Sequence, residues 1–153
     1  MTGRTVLVIG ATGILAPAAS VLRDRGERVV AVSLHGAHDT IAVDAQRADE
    51  LAASLAAERW DDALVYGPAV TDSSLACVRA ATPGRCVLVR TSAAADPALG
   101  ILIVPRDTVQ LGWTSPAEHR WHTPEEVSDT ALATLADGAP RTLGAVRPWS
   151  DRP

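Results

Sequence analysis

A glycine-containing turn separates an apolar run from a helix-like segment at the start of the chain. Residues 6–16 read Val-Leu-Val-Ile-Gly-Ala-Thr-Gly-Ile-Leu-Ala. The apolar run predicts a buried strand over about 5–9, and the next segment predicts a helix over about 13–25 that ends at Gly26. Small residues at such a turn let an anionic group approach free backbone N–H groups at a helix N-terminus.

The turn therefore predicts a site for the pyrophosphate of NAD or NADP, with a purely structural turn as the alternative. Because the contacts would come mainly from the backbone of the turn, we expect them from a continuous set of residues: Gly10, Ala11, Thr12, Gly13, Ile14 and Leu15. After the second predicted strand, His35 and His38 are candidates for a phosphate contact or for surface loop residues without a role.

Apolar runs alternate with helical patterns along the chain, which is typical of an α/β fold with a mostly parallel, doubly wound sheet. Further strands are predicted over about 28–34, 40–43, 61–66, 85–90 and 143–146. Helices are predicted over about 44–59, with Asp44 as cap, over 72–81, and over 124–136, with Thr123 as cap. The inward face of the first is expected to be Ala48, Leu51, Ala52 and Leu55, and that of the last Val127, Ala131 and Leu135. Residues 100–113 form either two strands or an extended segment before a core strand over 108–113, which we favour.

Length and charge restrict the classes of protein. The 153 residues predict a single three-layer domain, 1–153, with a C-terminal tail over 147–153. The formal net charge of -4 lacks the basic footprint of a nucleic-acid-binding protein. No apolar run of about 18 residues predicts a membrane span, so we expect a cytoplasmic protein.

The cysteine and lysine content limits the chemistry. Cys77 and Cys86 have no metal-ligand spacing, which predicts reduced thiols and no metal site. All 14 cationic side chains are arginines. Lysine-dependent mechanisms, Schiff bases included, are therefore excluded.

The spacing of Gly10, Gly13 and Ala16 resembles the GxxGxxG/A pattern of extended and atypical short-chain dehydrogenases/reductases. Asp44 matches the acidic residue that lies beside the adenine ring in that superfamily, and residues 66–69, Tyr-Gly-Pro-Ala, stand in place of its NAG-like segment. The resemblance implies a Rossmann-like domain that binds NAD or NADP and a small-molecule substrate, with cofactor contacts from Asp44 and Gly67. It does not decide between the two cofactors.

The catalytic Tyr-x-x-x-Lys pair of the superfamily cannot exist in this chain, which has no lysine and one tyrosine, Tyr66. The C-terminal half resembles a small group of short, truncated Rossmann proteins, through residues 109–113, 120–126 and 148–153. That resemblance supports the fold and the cofactor class but supplies no reaction.

Substrate chemistry is expected at the carboxyl ends of the strands, near the switch point of the sheet. Ser92 resembles the catalytic serine position of the superfamily, and the other catalytic candidates are Tyr66, His119 and His122. The substrate-binding candidates are Arg90, Gln110, Trp113 and Trp121. Several of these residues have a structural alternative. Ser92 would only hydrogen-bond backbone groups of its own loop, Arg90 would form a surface ion pair, and residues 119–122 would be a solvated loop that Trp121 anchors to the core. Trp149 is expected to anchor the tail or to pack across a homodimer.

Three functions fit these patterns. The first, which we favour, is an NAD(P)-dependent oxidoreductase that acts on a small carbonyl or hydroxyl substrate with non-standard catalytic residues. The second is a non-redox enzyme on the same fold. The third is a catalytically inactive NAD(P)-binding regulatory or assembly protein.

Overall fold

A computed structural model describes residues 3–35, 39–115 and 117–153. The strands are β1 (Thr5–Ile9), β2 (Arg28–Ser33), β3 (Thr40–Ala42), β4 (Asp62–Tyr66), β5 (Cys86–Arg90), β6 (Thr108–Leu111) and β7 (Arg141–Leu143). The helices are α1 (Ala16–Asp24), α2 (Ala48–Leu55), α3 (Asp72–Ala81) and α4 (Pro124–Asp137). Short 3₁₀ turns cover Gly67–Ala69, Ser92–Ala95, Pro97–Leu99 and Trp149–Asp151.

The seven strands form one parallel sheet in the order β3-β2-β1-β4-β5-β6-β7. The chain leaves β1 toward β2 and β3, then crosses back to place β4 on the other side of β1. This reversal is the switch point, where ligands bind beyond the carboxyl ends of the strands. The structure thus has the three-layer α/β architecture expected from the sequence.

Each face of the sheet has its own hydrophobic core. Side chains of α1 and α4 pack on one face, where Leu22 and Ala131 are fully buried. Side chains of α2 and α3 pack on the other, around Leu51, Val78 and Trp60. Alternate residues of a strand point to opposite faces, so the continuous apolar runs of β1 and β4 serve both cores.

Local sequence signals explain the boundaries of α4. Thr123 accepts a hydrogen bond from the Glu126 backbone N–H, and the Glu126 carboxylate accepts one from the Thr123 N–H, which completes a capping box. The helix stops at Gly138, whose φ of 74° is left-handed. The predicted inward residues of α4, Val127, Ala131 and Leu135, are all buried.

Two of the predicted helices begin later than expected. Helix α1 starts at Ala16, not at 13, because residues 10–15 form hydrogen-bonded turns and Pro17 is suited to the first helical turn. Helix α2 covers only Ala48–Leu55 and begins after Arg47. Asp44 is therefore not its cap. Leu51 and Leu55 are buried as predicted, whereas Ala52 is exposed and Ala48 is only half-buried.

The region 100–113 follows the interpretation that we favoured, because Thr108–Leu111 is the core strand and residues 101–104 form no strand. The strand is shorter than predicted, and Trp113 beyond it forms only two isolated antiparallel bridges, to Trp121 and to Ala145. The last strand is Arg141–Leu143, not 143–146, since pairing with β6 ends at Leu143 and Gly144 has a positive φ. No helix in the described ranges is long and apolar enough to cross a membrane.

Cys86 at the start of β5 gives a test of the packing on the α2/α3 face. Burial raises the pKa of its thiol to about 11. In a Cys77→Ala variant, alkylation of the remaining thiol should accelerate about tenfold for each pH unit between 7 and 10, because the thiolate is the nucleophile. A rate that levels off below pH 9 would show that this face is more open than described. The measurement is the iodoacetamide rate followed by mass spectrometry.

Candidate functional site

The turn after β1 has the open geometry that a phosphate site requires. Gly10 has a φ of 109°, and a Cβ placed there would lie 3.0 Å from the Cβ of Tyr66. A Cβ at Gly13 would meet no atom within 4 Å. Gly10 is thus needed by the fold itself, whereas the space in front of Gly13 is free for a ligand.

The same turn leaves backbone donors available. The N–H groups of Gly13 and Leu15 both bond to the Gly10 carbonyl, at 3.1 Å. Among the described residues, the N–H groups of Ala11, Thr12 and Ile14 have no protein acceptor. Helix α1 begins beside them without a side-chain cap, so the positive end of its dipole adds to these donors. The residues present therefore fit a phosphate group.

The other predicted cofactor residues lie around the ends of the neighbouring strands. Leu15 is fully buried in the core, so only its backbone can face a ligand. His35 is exposed just after β2, and His38 lies outside the described residues. Asp44 follows β3 and accepts a hydrogen bond from the Gln46 N–H at 2.9 Å. Gly67 follows β4, where a Cβ would lie 3.0 Å from the Val89 carbonyl oxygen.

A cavity of about 250 Å³ opens beyond the carboxyl ends of β4, β5 and β6. Five sequence-predicted residues line it: Ile14, Tyr66, Ser92, Trp121 and His122. Three other lining residues, Thr91, Leu111 and Gly112, lie at the strand ends where the site was expected, whereas sequence reasoning missed the last two, Val127 and Arg152. Ile14 belongs to the glycine turn, so the cavity adjoins the predicted phosphate site.

Ser92 lines the cavity from the 3₁₀ turn that follows β5. Its side chain is buried, with a residue exposure of 4%. The Ser92 Oγ accepts a hydrogen bond from Arg152 Nε at 3.1 Å. Because the guanidinium is only a donor, the Ser92 hydroxyl proton is left free to be donated elsewhere.

Three tryptophans hold the outer wall of the cavity. Trp113 is buried and meets Trp121 edge-on at a centroid distance of 6.5 Å and Trp149 at 5.9 Å. The Arg152 guanidinium carbon lies 5.4 Å from the Trp121 ring centroid and 5.0 Å from that of Trp149. Trp149 thus anchors the tail, which was one of the two roles predicted for it. The tail in turn carries Arg152 to the cavity.

His122 borders the cavity, but protein atoms surround both of its ring nitrogens. Nδ1 lies 3.2 Å from Glu126 Oε2. Nε2 is buried without a hydrogen-bond partner and packs against Gly144, where a Cβ would lie only 2.3 Å away. The ring therefore serves as a wall of the cavity in this arrangement, and its predicted proton transfer stays a prediction.

Glu126 organises the loop that carries these residues. Its Oε1 accepts hydrogen bonds from Arg120 Nη1 at 2.8 Å and from the Thr123 N–H at 3.1 Å. Hydrogen bonds from Arg120, from Thr123 and from His122 lower the pKa of Glu126 to about 2. The ionised carboxylate thus joins three residues that precede α4.

The structure does not bring four predicted residues into the cavity lining. His119 is exposed in the preceding turn, with a φ of 46°. Arg90 donates to the Ile103 carbonyl at 2.8 Å and borders a separate groove beside α3. Gln110 is fully buried, and its amide nitrogen bonds to the Thr91 and Leu111 carbonyls. Trp113 supports the wall from behind. In the described ranges, no three metal-ligating side chains form a cluster.

No protein-family model matches the sequence, and no curated protein matches it. Solved structures do match over nearly the whole chain. A short-chain dehydrogenase from Burkholderia cenocepacia in complex with NADP has 16% identity and a TM-score of 0.67, covering 94% of this chain and 89% of that one. The protein has the fold of the short-chain dehydrogenases/reductases. This agrees with the Rossmann-like fold that the glycine spacing implied.

Two further structures show how widely this fold is used. A C-terminal deletion mutant of Thermoplasma acidophilum aldohexose dehydrogenase has 14% identity and a TM-score of 0.62, covering 92% of this chain and 94% of that one. The UDP-N-acetylglucosamine 4-epimerase from Bacillus cereus has 10% identity and a TM-score of 0.62, covering 94% of this chain and 78% of that one. The fold thus carries different reactions, so the site must be argued from its own residues.

Replacing Glu126 by Gln should change how the stability of the protein depends on pH. The pKa of Glu126 is about 2, below its ordinary value of 4.5, so the carboxylate stabilises the fold fully above pH 4.5 and loses that effect as the pH falls toward 2. The wild type should therefore be more stable than Glu126→Gln at pH 7, with a difference that shrinks below pH 4.5. Urea unfolding at several pH values measures this.

Glu125→Gln is the matched control, because it removes the same charge one residue away, where no ion pair is formed among the described residues. A difference between wild type and Glu126→Gln that stays constant from pH 7 to pH 3 would contradict the role given to the carboxylate.

Proposed function

We propose that this protein is an NAD(P)-dependent oxidoreductase that interconverts a small carbonyl compound and its alcohol. The observation that supports the proposal is the proximity of two features. A glycine turn with free N–H donors adjoins, through Ile14, a cavity where a buried serine has a free hydroxyl proton. The 250 Å³ cavity suits a small substrate, since pockets for drug-sized ligands are usually larger.

The proposed cofactor site uses the turn and the strands beside it. Ala11, Thr12 and Ile14 would donate backbone hydrogen bonds to the pyrophosphate. His35, Asp44 and Gly67 lie along the strand ends toward the adenosine half and remain the proposed contacts there. A bound nicotinamide supplies or accepts the hydride. NADP in the Burkholderia structure supports a cofactor of this class without deciding between NAD and NADP.

Ser92 is the proposed hydrogen-bond donor to the substrate oxygen. Arg152 Nε occupies one lone pair of the Oγ and fixes its position, while the hydroxyl proton remains available. A donor held in a buried site stabilises the negative charge that develops on a carbonyl oxygen during reduction. In this assignment Ser92 does part of the work that the missing Tyr-x-x-x-Lys pair does elsewhere. Tyr66 is the second hydroxyl-bearing candidate at the cavity, across from Ser92 on β4.

Replacing Gly13 by Val should abolish cofactor binding and leave folding intact. No atom lies within 4 Å of the added Cβ, and Gly13 has no positive φ, so the free energy of unfolding should change little. The side chain would instead fill the space in front of the phosphate donors. Titration with NADH and NADPH, followed by energy transfer from tryptophan, should give saturable binding of at least one of them to wild type and none to Gly13→Val.

Ala76→Val is the control, because Ala76 is exposed on α3, on the opposite face from α1. It should bind the dinucleotide like the wild type. Binding that survives in Gly13→Val would place the cofactor elsewhere, and an absence of binding to wild type would overturn the proposed function.

Replacing Ser92 by Ala should lower kcat/KM by roughly 100-fold, the usual cost of removing one donor to a developing oxyanion. Dinucleotide affinity should not change. The assay is NADPH or NADH oxidation with a panel of small aldehydes, ketones and 2-oxo acids, and Ser73→Ala, at an exposed position of α3, is the control. Equal turnover in Ser92→Ala would contradict the role of Ser92. Cofactor binding without turnover of any compound would favour a regulatory protein.

A further inference from the structure

The cavity contains one feature that the cofactor site does not explain, a cation without a carboxylate partner. Arg152 forms no ion pair with any described residue. The only hydrogen bond that its side chain makes among those residues runs from Nε to Ser92. The two terminal nitrogens, Nη1 and Nη2, are therefore free to donate.

The surroundings of Arg152 favour an anion. None of the ten residues that line the cavity is an aspartate or glutamate, although the chain has 18 acidic residues and a net charge of -4. Apolar side chains, among them Ile14, Leu111 and Val127, form much of the lining. Arg152 is an exposed residue that also lines the cavity, so an anion can reach its guanidinium directly from solvent.

The guanidinium is held in a fixed orientation before any ligand arrives. The Trp121 and Trp149 rings lie 5.4 and 5.0 Å from its central carbon, and Ser92 holds Nε. A fixed planar guanidinium matches the two oxygens of a carboxylate with parallel hydrogen bonds. Pre-organisation of this kind reduces the entropic cost of binding.

We propose that Arg152 is the substrate-anchoring residue of this cavity and that the substrate is a small carboxylate, such as a short oxo or hydroxy acid. The terminal nitrogens bind the carboxylate, and the neighbouring Ser92 hydroxyl donates to the carbonyl or hydroxyl oxygen of the same molecule. Identification of the anion as a substrate rests on the proposed oxidoreductase function, but anion binding by Arg152 does not.

The four tryptophans provide a direct test by NMR. Trp121 and Trp149 flank Arg152, whereas Trp60 is buried in the opposite core with its indole N–H bonded to the Leu55 carbonyl at 2.9 Å. Titration of the protein with 2-oxobutyrate and 2-hydroxybutyrate should shift the indole N–H signals of Trp121 and Trp149 and leave that of Trp60 unchanged. Butyramide, which lacks the charge, should bind at least tenfold more weakly.

Variants of Arg152 separate the charge from the fold. Arg152→Gln should weaken carboxylate binding at least tenfold without changing butyramide binding, and Arg152→Lys should recover part of the loss because it restores charge without the planar fork. Arg59→Gln, at an exposed arginine outside the cavity, controls for the change in net charge. Unchanged carboxylate binding in Arg152→Gln, or equal binding of butyramide and the acids, would overturn the inference.

A parallel titration with NADPH and NADH distinguishes this inference from the proposed function. Carboxylate binding that depends on Arg152, in a protein that binds neither dinucleotide, would support the anion site and overturn the oxidoreductase. Dinucleotide binding that Arg152→Gln weakens, with no effect on carboxylates, would show that the guanidinium contacts the cofactor instead and would overturn the inference.

Discussion

The close approach of Gly10 to Tyr66 positions the rest of the site. The backbone at Gly10 turns with a φ of 109°, and a side chain there would press on the Cβ of Tyr66. This contact lets the chain leave β1 beside the end of β4, at the switch point of the sheet, and brings the N-terminus of α1 there. The proposed phosphate donors and the cavity therefore share one edge of the sheet, which is where doubly wound folds bind ligands.

The outer wall of the cavity is built by two segments outside the sheet. The connection from β5 to β6 contains only two short 3₁₀ turns. The loop before α4 and the C-terminal tail form this wall. Trp113 supports both, because it contacts Trp121 in the loop and Trp149 in the tail. Glu126 secures the loop through Arg120 and His122. The tail is thus part of the site and supplies its cation.

The sequence predicted the sheet and the glycine turn well, because both depend on patterns that are local in the chain. Apolar runs and capping residues identified the strands and α4, and the strand-to-helix position of Gly13 identified the turn. The predicted start of α2 was wrong because a local hydrogen bond competes with capping. The Asp44 carboxylate accepts a hydrogen bond from the Gln46 N–H in a turn, and the helix begins later, after Arg47. Arg90 and Gln110 lie near the carboxyl ends of β5 and β6, as expected. Their side chains bond to nearby backbone carbonyls and do not line the cavity.

Arg152 could not be assigned from the sequence, because its place depends on contacts between residues far apart in the chain. Trp149 indicated that the tail is anchored, but no local pattern shows that Trp149 packs on Trp113. Nor does any local pattern show that Arg152 bonds to Ser92, which lies 60 positions earlier in the chain. The isolated position of Trp121 in a polar loop was likewise ambiguous. Only the folded chain shows that these aromatic rings surround one guanidinium.

The central claim is that the turn after β1 binds the phosphates of a dinucleotide. Backbone amide NMR of the protein with and without NADPH, repeated with NADH, tests it at single residues. We expect the amide signals of Ala11, Thr12 and Ile14 to shift on binding and their hydrogen exchange to slow, because these donors gain an acceptor. Shifts confined to other parts of the chain, or no shift with either dinucleotide, would contradict it.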